Sequence, residues 1–360
     1  MSQPHPVASQ APQVGEEQLQ LLERLSNACS VSGDESEVRR IVLEQVRPLA
    51  DTVRVDALGN VLATRHARQE NALRVMLAAH MDEVGFMLVD KEEGGLFRFE
   101  TVGGIDVRQL PGKPVWVGQK RLPGVIGARP IHLTRREELS QSIPLDTLRI
   151  DVGPNAADVK VGDRATYATL FQRSGPSLVG KALDDRLGVA TLIELLRHAP
   201  DNIEFLAAFT VQEEVGLRGA RVAAYALDPQ LALVIDSTPA FDLPTWDGSE
   251  NIRYNTRLGA GPAIYTADAA TLSDPRLVRH LMQTGERRGI PFQLRQPGGG
   301  GTDAGAIHRQ RMGIPSVSVS VPGRYAHTAR LVARLADWQN TLALLHAALS
   351  DLSPEVLAGR

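Results

Sequence analysis

Four apolar segments of this chain run directly into residues that can bind a metal or move a proton. VMLAA (75–79) is followed by His80-Met81-Asp82-Glu83, FLAAFT (205–210) by Val211-Gln212-Glu213-Glu214, and LALVI (231–235) by Asp236. SVSVSV (316–321) leads through Pro322-Gly323-Arg324-Tyr325 to His327. A further pair, Asp184-Asp185, stands in Gly180-Lys181-Ala182-Leu183-Asp184-Asp185-Arg186-Leu187-Gly188. The first three runs are continuously apolar and strand-length, which suits strands covered on both faces. In open α/β sheets ligands bind in the crevice beyond the carboxyl ends of the strands. Separate strand ends therefore deliver imidazoles and carboxylates toward one edge of one sheet.

Each group also has a plainer reading. Residues i and i+2 of an extended segment point to one side, so Asp82 can hold the second ring nitrogen of His80 as the usual carboxylate–histidine–metal arrangement does; both can equally be polar residues at a strand end. Adjacent acids such as Glu213-Glu214 repel unless cations or separate roles relieve them, one ligating and the other serving as general base; a solvated turn is the alternative. Asp is a favoured N-cap, which accounts for one of Asp184-Asp185 and leaves the other in want of a partner. Two His and three carboxylates without a thiolate suit zinc, cobalt or manganese. That set exceeds one tetrahedral zinc and suffices for two ions when one carboxylate bridges and a water between them is the nucleophile, a centre that hydrolyses peptides or phosphoesters.

The elements that must position these groups follow from periodicity. Segment 185–198 is apolar nearly all round, as a buried helix is. Leu331, Leu335, Trp338, Leu342, Leu345 and Leu349 step by helical spacing, and further helices are predicted near 16–28 and 34–49. Strands alternating with helices predict a three-layer α/β/α domain on a largely parallel, mixed sheet. From about 84 to 174 there is no helical pattern, only short β-type runs punctuated by Gly-Gly at 94–95 and 103–104 and by Pro-Gly turns, which predicts an inserted small β-barrel. The expected division is 1–15 as a disordered leader, 16–83 with 175–360 as the discontinuous catalytic domain, and 84–174 as the insertion. With 360 residues, 39 basic against 42 acidic and a net charge of −3, the chain carries no electrostatic footprint for nucleic acid or anionic membrane. A single cysteine excludes an internal disulfide framework. A polar start without an apolar h-region reads as no signal peptide, so the expected location is cytoplasmic.

Seven motifs occur in order: AHMDEVGFML (79–88), GVIGARPIHL (124–133), GKALDDRLG (180–188), QEEVGLRGA (212–220), VIDST (234–238), GGGTDA (299–304) and RYAHT (324–328). On these the chain resembles the glutamyl aminopeptidase family that includes the tetrahedral (TET) aminopeptidases, co-catalytic dinuclear metallopeptidases. The resemblance implies two divalent ions, zinc first with cobalt or manganese as alternatives, held by His80, Asp184, Glu214, Asp236 and His327. It gives Asp184 the bridging position, with a cis peptide bond after it. It makes Asp82 the acid that orients His80 and Glu213 the general base for the bridging water. It implies removal of N-terminal residues from short peptides with a free amine. It also implies that the insertion is a β-barrel dimerisation domain, the dimers assembling into hollow dodecamers. The chain departs from many relatives in carrying Thr328-Ala329, not Ser-Pro, after the last histidine.

Asp303 in the glycine-rich loop, Arg324 and Tyr325 are substrate-binding candidates, and segment 247–261 is expected to shape the pocket for the N-terminal side chain. That loop lacks the Lys-Ser/Thr ending of a nucleotide-binding loop. Two other functions fit parts of the pattern: a dinuclear amidase or deacylase of small N-acyl compounds, and a non-catalytic, metal-stabilised oligomeric scaffold. The scaffold reading predicts loss of the base or a ligand, and none is missing. A glycosidase uses two opposed carboxylates without metal, which His80 and His327 argue against.

Overall fold

The four apolar runs form the middle of an eleven-stranded sheet, and their side chains sort by the two-residue strand period into two cores. The structure, a computed structural model, describes residues 12–243 and 256–358. Strands Leu73–His80, Ile203–Thr210, Leu231–Pro239 and Ser316–Arg324 are mutually parallel neighbours. Antiparallel strands flank them, Thr52–Val55 and Val61–Arg65 on one side, Leu331–Arg334, Ser177–Gly180 and Gln172–Ser174 on the other. Val75, Leu77 and Ala79, with Phe205, Ala207 and Phe209, face helices Glu16–Asn27, Ser36–Val46, Leu183–Arg197, Pro275–Arg288 and Leu335–Ser350. The alternate residues Met76, Ala78, Leu206, Ala208, Ala232 and Val234 face helix Arg218–Leu227 and the short turn Ala304–Ile307. The sheet is thus the middle of three layers. Trp338 is fully buried and its Nε1–H donates to Thr191 Oγ1 at 2.9 Å, fastening the last helix to helix Leu183–Arg197.

The helical stepping from Leu331 overreaches. Leu331–Arg334 is a strand, alternately buried and half-buried, pairing with Ser177–Gly180 and with the end of Ser316–Arg324; the helix starts only at Leu335. Ladder hydrogen bonds from distant chain override a local spacing that fits both structures. The leader expected over 1–15 lies outside the described residues as far as 11. Residues 12–15 form no regular element and rest on the last helix, Val14 N–H donating to Gln339 Oε1 at 2.5 Å.

The stretch from about 84 to 174, which among the described residues holds short 3-10 turns but no α-helix, closes into a six-stranded barrel of strands Gly85–Lys91, Leu96–Val102, Pro114–Val117, Leu122–Gly127, Arg149–Asp151 and Arg164–Tyr167. Its interior is packed by Phe86, Phe97, Phe99, Ile126, Ile150 and Tyr167, with Phe86 edge-on to both Phe99 and Tyr167 at 5.3 Å. Among the described residues no helix is long and apolar enough to cross a membrane.

Candidate active site

The carboxyl ends of the central strands bring the predicted acids and imidazoles together at one edge of the sheet. His80 ends its strand, and its Nε2 lies 3.4 Å from Asp184 Oδ1 and 3.7 Å from Asp236 Oδ1. His327 Nε2 lies 3.5 Å from Asp184 Oδ2 and 3.4 Å from Glu214 Oε2. Asp184 therefore turns one oxygen to each imidazole. Ligand atoms of His80, Asp184 and Asp236 fall within 4.8 Å of one another, as do those of Asp184, Glu214 and His327 and those of His80, Glu213 and Glu214.

Local chemistry explains how each group is aimed. Asp185 Oδ1 accepts from Gly188 N–H at 2.9 Å, the kind of hydrogen bond a capping carboxylate makes; Asp184 and Asp185 are both non-helical, and Asp184 faces the cleft. The Asp184–Asp185 peptide bond is cis. Asp82 does more than face His80, whose Nδ1 lies 3.2 Å from the Asp82 carbonyl and 3.6 Å from its Oδ1. Its two carboxylate oxygens accept from the backbone N–H groups of Glu213 at 3.0 Å and Glu214 at 3.1 Å, and Ser32 Oγ donates to Oδ2 at 2.6 Å. One buried carboxylate thus places both acids of the neighbouring strand end. Gln212, Leu217, Tyr325 and His327 hold left-handed backbone with φ of 56–64°, costly for residues with a Cβ and common where a site is held in shape by its surroundings.

Behind the cleft lies a buried ion cluster. Glu83 accepts from Lys181 Nζ at 2.8 and 2.9 Å, from Ser30 N–H at 3.0 Å and from Thr166 Oγ1, a barrel residue, at 2.8 Å. Lys181 also donates to the Ala28 carbonyl at 2.6 Å, and Arg186 donates to the carbonyls of Met81 and Asp82. The cluster ties segment 81–83, which follows His80, to segment 181–186, which carries Asp184.

Burial and mutual repulsion dominate the electrostatics. Burial pushes the Glu213 carboxyl well above its usual range, with Asp236, Asp303 and Glu214 adding to the rise; it pushes Glu214 up to about 7, Asp236 to about 6 and Asp303 to about 7. Burial would lower His327, but Asp184 and Glu214 outweigh it and raise the imidazole to about 10. Anionic groups held this close call for cationic charge. Among the described residues Asp184 Oδ1 is buried without a hydrogen-bond partner, and the donors of the cluster are imidazole nitrogens and carboxylate oxygens, so the residues fit divalent ions of the zinc, cobalt and manganese class.

These groups line a cleft of about 530 Å³ together with Leu217, Tyr265, Arg295 and Gly299 to Gly301. His80, Asp184, Glu213, Glu214, Asp236 and His327 all face it; Asp303, Arg324 and Tyr325 do not. Asp303 is buried beneath, its Oδ2 accepting from Thr210 Oγ1 at 2.5 Å. Arg324 is committed to Asp242 through two hydrogen bonds of 2.8 Å, and Tyr325 is 51% exposed. Of segment 247–261, residues 247–255 lie outside the described residues. Sequence reasoning missed Ser32, Thr210 and the Gly104 carbonyl, which accepts from His327 Nδ1 at 2.8 Å. No local pattern marks them, because each acts on a partner remote in sequence.

Residues 59–344 match the model of the M42 glutamyl aminopeptidase family. A putative aminopeptidase of Acetivibrio thermocellus is 33% identical over 93% of this chain and 99% of its own length. Among solved structures, a TET aminopeptidase from a marine-sediment Thaumarchaeota archaeon superposes with a TM-score of 0.89 at 34% identity, covering 95% of this chain and 98% of that one. A TET1 peptidase of Pyrococcus horikoshii, described as able to assemble into a tetrahedron or a large octahedral shell, gives 0.82 at 33% identity over 93% and 100%. This chain belongs to the M42 glutamyl aminopeptidase family and is a metallo-aminopeptidase, a hydrolase of peptide bonds.

Proposed function

We propose that the chain removes N-terminal residues from short peptides with a free amine, at a two-ion centre with Asp184 as the bridge. The observation that carries this is the Asp184 carboxylate, one oxygen 3.4 Å from His80 Nε2 and the other 3.5 Å from His327 Nε2. His80 and Asp236 would complete one half of the centre, Glu214 and His327 the other, with zinc as the first choice and cobalt or manganese as alternatives. When bound, the ions supply a water acidic enough to ionise near neutral pH and polarise the scissile carbonyl. Glu213, raised in basicity by burial and facing the cleft, accepts the proton of the attacking water as its oxygen adds to the carbonyl carbon. It delivers that proton to the amide nitrogen as the C–N bond breaks. Asp82 fixes Glu213 and Glu214 through their N–H groups. Self-association through the barrel into dimers and a hollow shell is part of this reading, supported by the assembly described for the Pyrococcus horikoshii relative.

The test is hydrolysis of amino-acid p-nitroanilides by metal-stripped protein with zinc, cobalt or manganese restored, beside Glu213→Gln. The expected result is metal-restored cleavage, with Glu213→Gln lowering kcat by about 10²–10⁴ while zinc binding persists. Cleavage of N-acyl compounds in place of free-amine substrates would overturn the assignment in favour of a deacylase.

A further inference from the structure

The two imidazoles of the centre are oriented by different parts of the fold. His80 is 3% exposed and faces Asp82 two residues on, within its own segment. His327 is 39% exposed at the side chain and sits in left-handed backbone, φ 56°, on the loop after the last central strand. Its Nδ1–H donates to the carbonyl of Gly104, which leaves Nε2 bare toward Asp184 and Glu214. Gly104 belongs to the turn that follows barrel strand Leu96–Val102, not to the catalytic domain. A partner for the second ring nitrogen fixes both tautomer and ring orientation of a ligating histidine.

The same turn touches the other terminal group of that half. Gly103 has φ +86°, and a Cβ there would lie 2.7 Å from Val84 Cγ1 and 3.3 Å from Glu214 Cβ. A Cβ on Gly104 would lie 3.4 Å from His327 Nδ1. Neither glycine has such a contact with His80 or Asp236. Ala329, two residues past His327, packs against the barrel core, so the loop is seated on the barrel at a second point.

The geometry points to the Gly103–Gly104 turn as a positioning element that sets the affinity of the Glu214/His327 half for its divalent ion, leaving the His80/Asp236 half independent of it. The inserted barrel thereby controls whether the centre holds one ion or two. This rests on the two-ion reading above, and the experiment separates the two ideas. Zinc binding to the full-length, metal-stripped chain is measured by isothermal titration calorimetry, with stoichiometry checked by elemental analysis. The parent is compared with Gly103→Ala, Gly104→Val and Gly112→Ala. Gly112 is another barrel glycine with positive φ, +78°, and open space around it, so it controls for backbone strain alone. The expected result is two ions in the parent and in Gly112→Ala. In Gly103→Ala and Gly104→Val one ion keeps its affinity and the other is weakened about tenfold or more. Unchanged binding of both ions in a folded Gly103 or Gly104 variant overturns the proposal, as does equal weakening of both. If one variant fails to give a native circular dichroism spectrum, the other decides. A parent that binds fewer than two ions overturns the two-ion reading itself, a different failure from a two-ion parent whose variants match it.

Discussion

Replacing Lys181 by Met removes an ammonium that is 1% exposed while keeping the length and most of the volume of its side chain. Glu83, 2% exposed, would lose two hydrogen bonds of 2.8 and 2.9 Å, and the Ala28 carbonyl one of 2.6 Å. What remains on the carboxylate is neutral donation from Ser30 N–H and Thr166 Oγ1, and Arg186 Nη2 at a long 3.4 Å. Breaking one side of a buried pair costs about 3–5 kcal/mol, since the partner stays behind uncompensated. Glu83→Gln is expected to cost a similar amount, because Lys181 is then left charged and buried. The double variant Lys181→Met/Glu83→Gln removes both charges, so it should be less destabilised than the sum of the singles by about 1–3 kcal/mol. Urea unfolding followed by far-UV circular dichroism, at one protein concentration and with a common slope, measures all four corners of the cycle. Single variants costing under about 1 kcal/mol, or strict additivity, would refute the account of the cluster as an ion pair bracing segments 81–83 and 181–186.

Two further outcomes are expected. Stripping the divalent ions should lower the melting temperature, and restoring zinc at about 100 times the Kd of each site should return about 2.7 kcal/mol for each ion bound; a melting curve indifferent to zinc would contradict the metal assignment. Arg324 holds the Asp242 carboxyl below its usual range, so the pair stabilises the fold above the ordinary carboxylate pKa of about 4 and that contribution disappears as pH falls through the depressed value. Asp242→Asn should therefore cost about 1 kcal/mol or less near pH 7, the pair being partly exposed, and nothing at the acid end. Equal loss at both ends would show that the effect is not ionic; acid titration of stability checks it.

The parts of this molecule legible in the sequence are those encoded locally. Strand identity follows from short apolar runs, and the acids and histidines sit directly or a few residues after them, so the clustering of His80, Glu213, Asp236 and His327 at the sheet edge is legible. Asp184-Asp185 was half legible: capping accounted for one of the two, but only the backbone shows that it is Asp185. What the sequence hid depends on contacts between distant segments. Leu331–Arg334 carries helical spacing yet is claimed by strands Ser177–Gly180 and Ser316–Arg324. Ser32 on Asp82, Thr210 on Asp303 and the Gly104 carbonyl on His327 are pairings of ordinary polar groups that no motif announces. Arg324 stood in a motif and stood near the site, but Asp242 claims it.

The order along the chain of the proposed ligands has a consequence for synthesis. His80 precedes the barrel, Asp184 follows it, and His327 comes after the last central strand, so neither half of the centre lies within a contiguous fragment that could fold early. A nascent chain emerges with His80 and the barrel first, and a polypeptide released before position 327 lacks the imidazole that faces Glu214 and the second oxygen of Asp184. On the two-ion reading proposed above, peptide cleavage therefore awaits nearly complete translation.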